Sequence, residues 1–250
     1  MLDFNRENLA SAVVHAEINA LLDAAALTEQ REEQRTYLGA SAIGSECLRK
    51  VQFDWKVESN HPARTKRIFA RGHMFEEITV KAFAQAGFRI ERGTPATGFS
   101  VANDTFKGHA DGIIVAGPAV HELSYPCLWE HKALGSSGWK KLERDGLKKA
   151  YPQYYDQVQL YMAYLGLDAN PALFTAVNSD NCEILHLAIP FDSEAAQAAS
   201  DRAVAVIKAT EAGELLPRIT EKGPTDWRCK MCSHKDRCWS DSVVIAFPKP

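Results

Sequence analysis

Two hydrophobic periods divide the chain. Up to about residue 86, apolar positions recur three and four apart, the spacing of a helix face. Residues 5–38 hold no proline or glycine and are rich in Ala, Leu and Glu, which predicts one or two helices. Residues 41–45 read as a loop, and a short helical run follows at 47–55. Pro62 opens a further segment. Residues 65–86 predict a long helix with Ile68, Met74, Phe75, Ile78 and Phe83 near helical spacing, and Gly87 ends it.

Beyond Phe88 the period shortens. Residues 88–91, 106–115, 128–133, 173–178 and 182–189 predict strands. Asn103-Asp104, Gly117-Pro118 and Ser179-Asp180-Asn181 are the turns between them. Residues 139–149 and 151–165 predict helices broken near Pro152. Residues 192–212 predict another, capped by Asp192 or Ser193, with Glu194 in its first turn. This order predicts an α/β fold: a central mixed β-sheet flanked by helices. The expected divisions are an N-terminal helical segment at 1–43, a core at 44–239 and a tail at 240–250.

Composition fits this picture. The chain has 250 residues, 46% hydrophobic and 24% charged, enough to bury a core without staples. A net charge of −3 excludes a histone-like polycation but not an enzyme of nucleic acids with a local basic groove. Residues 1–40 carry seven acids against three bases, and 180–221 carry eight against three. Residues 44–81 carry eight bases against five acids, and 140–149 five against two. Folded to one side, the two basic stretches would make a positive track on an acidic body; the bland alternative is two solvated helix faces. No run approaches 18 apolar residues, so no membrane span is expected. The N-terminus does not read as a secretory signal. A cytoplasmic chain is expected, and six cysteines there need an explanation other than disulfides.

The strongest chemical signal lies in Gly108-His109-Ala110-Asp111-Gly112 and Trp129-Glu130-His131-Lys132. Alternation along a strand puts Glu130 and Lys132 on one face and His131 on the other. If the two strands pair, Asp111 and Glu130 meet at one end. Two close carboxylates resist joint ionisation unless a cation sits between them, and oxygen ligands suit Mg²⁺ or Mn²⁺. Glu76 shares a helix face with Gly72, a glycine whose place in a helix asks for close packing or a nearby ligand. Gln157 and Tyr161 are one helical turn apart. Cys229, Cys232 and Cys238 form a dense group that reads as a metal or cluster signature, with Cys47 or His234 as a fourth ligand. Spacing does not separate an iron–sulfur cluster from zinc. Cys127 and Cys182 read as small buried hydrophobes within strands.

These motifs, in this order, resemble the PD-(D/E)xK nuclease superfamily with its restriction-endonuclease-like core. More narrowly they look like the RecB-type iron–sulfur nucleases, related to CRISPR-associated adaptation nucleases and to viral, lambda-type exonucleases. The likeness spans roughly residues 44–239. It implies a deoxyribonuclease using Mg²⁺ or Mn²⁺, held by Glu76, Asp111 and Glu130 with the backbone carbonyl of His131. Lys132 would position the attacking water, and Gln157 and Tyr161 would form the family's Q-x-x-x-Y motif. It also implies a [4Fe–4S] cluster on Cys47, Cys229, Cys232 and Cys238, with structural Zn²⁺ as the alternative. The implied partner is DNA with free ends, processed by an exonuclease in viral or prokaryotic recombination, repair or processing. Trp139 or Tyr151 would be a stacking platform, and His109 a phosphate contact. The alternative is a catalytically inactive nuclease-like module that binds DNA or protein.

Overall fold

Residues 127–134 read Cys-Leu-Trp-Glu-His-Lys-Ala-Leu, a run able to be covered on both faces, and they form the central strand. The computed structural model describes residues 9–28, 36–57 and 61–240. In chain order the elements are α1 (Leu9–Thr28), β1 (Leu38–Gly39), α2 (Leu48–Lys56), α3 (Ala63–Gln85), β2 (Arg89–Glu91), β3 (Gly98–Val101), β4 (Phe106–His109), β5 (Gly112–Ala116) and β6 (Cys127–Leu134). They continue as α4 (Ser136–Ala150), α5 (Pro152–Leu165), β7 (Ala172–Asn178), β8 (Ile184–Ile189), α6 (Ser193–Glu211), α7 (Trp227–Lys230) and α8 (Lys235–Trp239).

Five strands form the main sheet in the order β2-β5-β6-β7-β8. β6 and β7 run parallel and the other neighbours antiparallel, so the sheet is mixed, as expected. A parallel pair needs a crossover, and α4 and α5 supply it. Pro152 starts α5 in its first turn, where its missing N–H costs nothing. β7 is buried along its whole length. α3 covers one face of β6 and α5 the other, so the alternation of side chains on β6 decides which layer each one meets.

Three sequence expectations need correction. Residues 106–115 are not one strand: the chain leaves β4 at His109 and enters β5 at Gly112, passing from a small sheet, β1-β4-β3, into the large one. The Ala110 N–H bonds to Thr97 O at 2.8 Å and closes the small sheet there, leaving Asp111 at the junction. Leu38 is not helical but opens β1, its N–H bonded to Thr105 O at 2.7 Å and its side chain fully buried. Burial against β4 overrides a local helical pattern. Cys182 lies in an exposed turn with φ of 66°, outside β8. Cys127 is buried as expected, and burial pushes its thiol up to about 11. Residues 241–250 of the expected tail and residues 1–8 and 29–35 of the expected N-terminal helices lie outside the described residues.

Asp192, one of the two expected caps, closes the start of α6. Its side chain accepts from Ala195 N at 3.0 Å, from Tyr155 OH at 2.9 Å and from Lys148 Nζ at 2.8 Å. The hydrogen bond from Lys148 and that from the Ala195 N–H hold its carboxyl at about 2, below the ordinary 3.8. A depressed carboxyl contributes stability above its ordinary value and loses it as pH falls towards its folded value. Asp192→Asn keeps a capping oxygen but cannot titrate. Its acid unfolding curve should therefore be shallower than the wild type's between about pH 4 and pH 2. Superimposable acid limbs would remove Asp192 from the acid response.

Candidate active site

Asp111 and Glu130 meet because β5 and β6 pair antiparallel with Gly112 opposite Trp129. Asp111 stands one residue before β5, and its Oδ2 accepts from the His131 backbone N–H at 2.8 Å. Glu130 and Lys132 point to the α5 face, and His131 points to α3, where its Nε2 lies 3.1 Å from Thr79 Oγ1. The predicted alternation holds.

Glu130 is fully buried. Its Oε1 accepts from Lys132 Nζ and from Gln157 Nε2 at 2.7 Å, while its Oε2 has no hydrogen-bond partner. Gln157 also donates to Tyr161 OH at 3.3 Å, so the expected pair on α5 reaches the acid. Lys132 Nζ lies 3.7 Å from Asp111 Oδ2 and 5.4 Å from the centre of the Tyr154 ring. Burial, reinforced by the charge of Asp111, raises the Glu130 carboxyl, against the pull of Lys132. Burial would lower Lys132, but the charges of Glu130 and Asp111 outweigh it and hold the ammonium protonated. Burial brings His131 down to about 4, leaving a neutral imidazole behind the sheet. Burial and the nearby Glu130 raise the Tyr161 phenol.

Glu76 reaches the same region from α3. Burial and the charge of Asp111 raise its carboxyl, and the ion pair with Arg92 opposes this. Arg92 also pairs with Glu77 at 2.8 Å and donates to Asp111 O at 3.2 Å. His73 Nδ1 lies 3.9 Å from Glu76 Oε2. Arg92 carried no sequence signal of its own; only folding β2 beside β5 brings it here. A methyl group added at Gly72 would meet nothing within 4 Å, so close packing does not account for that glycine.

A cleft of about 330 Å³ opens onto Asp111, Lys132, Gln157 and Tyr161. Tyr37, Ser41, Lys107 and His109, from the small sheet and the segments flanking β1, line the same cleft. His109, expected as a phosphate contact, lines the cleft; Lys107, Tyr37 and Tyr154 line it too and carried no sequence signal. The two basic stretches do not line this cleft, whose cations are Lys107 and Lys132. Lys148 is paired with Asp192, and Lys149 with Asp145 at 3.2 Å. Trp139 is no stacking platform: it is buried, with its indole N–H on Ala176 O at 3.1 Å.

Among the described residues, no three His, Cys, Asp or Glu side chains gather in a group able to hold a metal ion. The expected cofactor assignments are corrected on this point. Glu76, Asp111 and Glu130 do not converge into a three-carboxylate ligand set, because Arg92 engages Glu76 and Lys132 engages Glu130. The [4Fe–4S] cluster and the structural zinc are overturned as well. Cys47, Cys229, Cys232 and Cys238 line one cavity of about 40 Å³ together with Lys50, Arg218, Arg228 and Lys235, but they do not form a group placed to hold a metal ion. His234, the alternative zinc ligand, is bonded to Asp54 Oδ1 at 2.8 Å instead. Burial raises the Cys232 thiol.

No family model matches the sequence, and no curated protein resembles it closely enough to count as a relative. Solved structures do resemble the fold. An alkaline exonuclease (LHK-Exo) from Laribacter hongkongensis superposes with a TM-score of 0.51 at 16% identity, over 77% of this chain and 93% of that one. The likeness is one of fold: an α/β core with a central mixed sheet flanked by helices. The same exonuclease in complex with dAMP gives a TM-score of 0.49 at 17% identity over the same shares of each chain. A phage-related exonuclease from Haemophilus somnus 129PT gives 0.43 at 17% identity, over 68% of this chain and 79% of that one. The restriction-endonuclease-like core expected from the motifs is thus present; the narrower RecB-type likeness rests on the motifs alone.

Proposed function

We propose that this chain hydrolyses phosphodiester bonds of DNA, acting from free ends as an exonuclease that depends on Mg²⁺ or Mn²⁺. The observation that carries the reading is the fully buried Glu130, with one carboxylate oxygen unpaired, beside Asp111 and Lys132, which line an open cleft. A buried acceptor without a partner is costly, and a hard cation is the partner a carboxylate pair suits. Mg²⁺ keeps several of its waters and is commonly held by only one or two carboxylates, so Asp111 and Glu130 fit it without a third. Such an ion, when bound, neutralises charge on the phosphate and lowers the barrier to attack by water.

The protein's own groups do the rest. Asp111 is fixed by the His131 N–H, so its orientation is set before substrate arrives. Lys132 stays protonated and stands at both carboxylates, placed to orient a water and to offset charge developing on the phosphate. Gln157 holds Glu130 from α5, and Tyr161 stands next to it. Lys107 and His109 line the same cleft and would contact the DNA strand. The fold shared with an alkaline exonuclease supports action from ends.

End-labelled linear duplex should be degraded in Mg²⁺ and spared in EDTA, while a covalently closed circle of the same sequence survives. No cleavage of either substrate in Mg²⁺ or Mn²⁺ would overturn the nuclease reading. Equal cleavage of circle and line would overturn action from ends.

A further inference from the structure

Asp111 belongs to neither ladder of strands. The pairing of the small sheet ends at His109, and that of the large sheet starts at Gly112. A residue at such a junction lacks the paired hydrogen bonds that fix its neighbours. Contacts from elsewhere hold it instead. Its Oδ2 accepts from the His131 N–H at 2.8 Å, and its main-chain oxygen accepts from Arg92 Nε at 3.2 Å. Arg92 follows β2, whose Glu91 lies opposite Ile113 of β5. The approach is close: a methyl group added at Gly112 would lie 3.2 Å from Glu91 O and 3.3 Å from Arg92 Cγ. The rest of the guanidinium is tied to α3, with Nη2 on Glu76 Oε1 and Nη1 on Glu77 Oε1 at 2.8 Å. Glu77 is 57% exposed, so that arm adds little. Glu76 is 16% exposed and makes the firmer anchor.

We infer that Arg92 is a positioning residue for Asp111, and that Glu76 serves the site by holding Arg92. The inference rests on the cleavage chemistry proposed above. Arg92 does not line the cleft, so it acts through Asp111. The geometry explains why the residue is an arginine. One planar guanidinium directs its Nε at the junction and its two Nη atoms at α3, so the main chain of Asp111 is braced against a long helix. A lysine supplies a single point charge and cannot serve both sides in a fixed geometry. The brace matters because a misplacement of about 1 Å can cost on the order of a hundredfold in rate. The charge of Arg92 serves the same end. Glu76 and Asp111 repel each other, and a guanidinium bonded to the side chain of one and the main chain of the other offsets that repulsion. Glu76 thus contributes to the site without being a metal ligand.

Arg92→Lys should lower kcat at least tenfold and raise the Mg²⁺ concentration for half-maximal rate at least fivefold, with KM for end-labelled duplex within twofold of the wild type's. Hydrogen exchange gives a readout free of activity. The His131 amide should exchange at least tenfold faster in Arg92→Lys and the amides of β7 at the wild-type rate, because Asp111 loosens while the sheet stays closed. Arg92→Ala should lose more by both measures, and Glu76→Ala added to it should cost less than threefold further in kcat. Glu76→Ala alone removes the anchor and should also quicken exchange at His131; it serves as the test if the Arg92 variants misfold. A wild-type kcat in Arg92→Lys would overturn the inference and leave the cleavage reading standing. So would unchanged exchange at His131, or exchange quickened equally at His131 and across β7. A further loss of threefold or more from Glu76→Ala in the Arg92→Ala background would overturn the role given to Glu76. A wild type that cleaves nothing in Mg²⁺ or Mn²⁺ would instead overturn the cleavage reading, and the inference with it.

Discussion

Glu130→Gln should lower cleavage at least a thousandfold, about 4 kcal/mol of barrier, while the protein stays folded. The substitution changes almost no volume at a fully buried position. The amide oxygen of Gln can still accept from Lys132 and Gln157, so the contacts that pin the side chain survive. What disappears is the negative charge. Single-turnover cleavage of end-labelled DNA in Mg²⁺, with a thermal melt of the same preparation, checks both halves. Turnover within tenfold of wild type would remove Glu130 from the active site.

Lys132→Met has two expected effects that separate. It leaves Glu130 buried without its cation, and breaking a buried pair from one side costs about 3 kcal/mol or more. The urea midpoint should fall accordingly. Cleavage should also fall at least a hundredfold in the fraction that remains folded, because nothing then offsets charge on the phosphate. Glu130→Gln with Lys132→Met removes both charges, so its midpoint should lie above that of Lys132→Met alone. A midpoint for Lys132→Met equal to the wild type's would show that the Lys132–Glu130 pair does not support the fold.

Much of this site was legible in the sequence because strands alternate. The Glu-x-Lys spacing in 129–132 fixed which side chains share a face, and the i,i+4 spacing of Gln157 and Tyr161 did the same on α5. The cap at Asp192 and the break at Pro152 were local signals and appear where expected. Other features depended on chain segments far apart in sequence. Arg92 reaches Glu76 and Asp111 only through the pairing of β2 with β5, and no local pattern encodes that register. Lys107 faces the cleft because residues 106–115 divide between two sheets, where their hydrophobic pattern reads as one strand. The basic stretches misled for a related reason: counting charges along the chain cannot see Lys148 and Lys149 committed to Asp192 and Asp145. The cysteines misled differently. Spacing brings four of them to one cavity, but it does not make them converge on a point.

The division of residues 106–115 has a consequence for how such a protein can change over generations. Asp111, Glu130 and Lys132 belong to the large sheet and its margin, while Lys107 and His109 belong to the small one. The groups proposed to act in cleavage and the other side chains that line the cleft thus sit on separate frameworks, joined at Ala110 and Asp111. Drift in the β3–β4 hairpin can reshape what the cleft admits while the acids and the lysine keep their places.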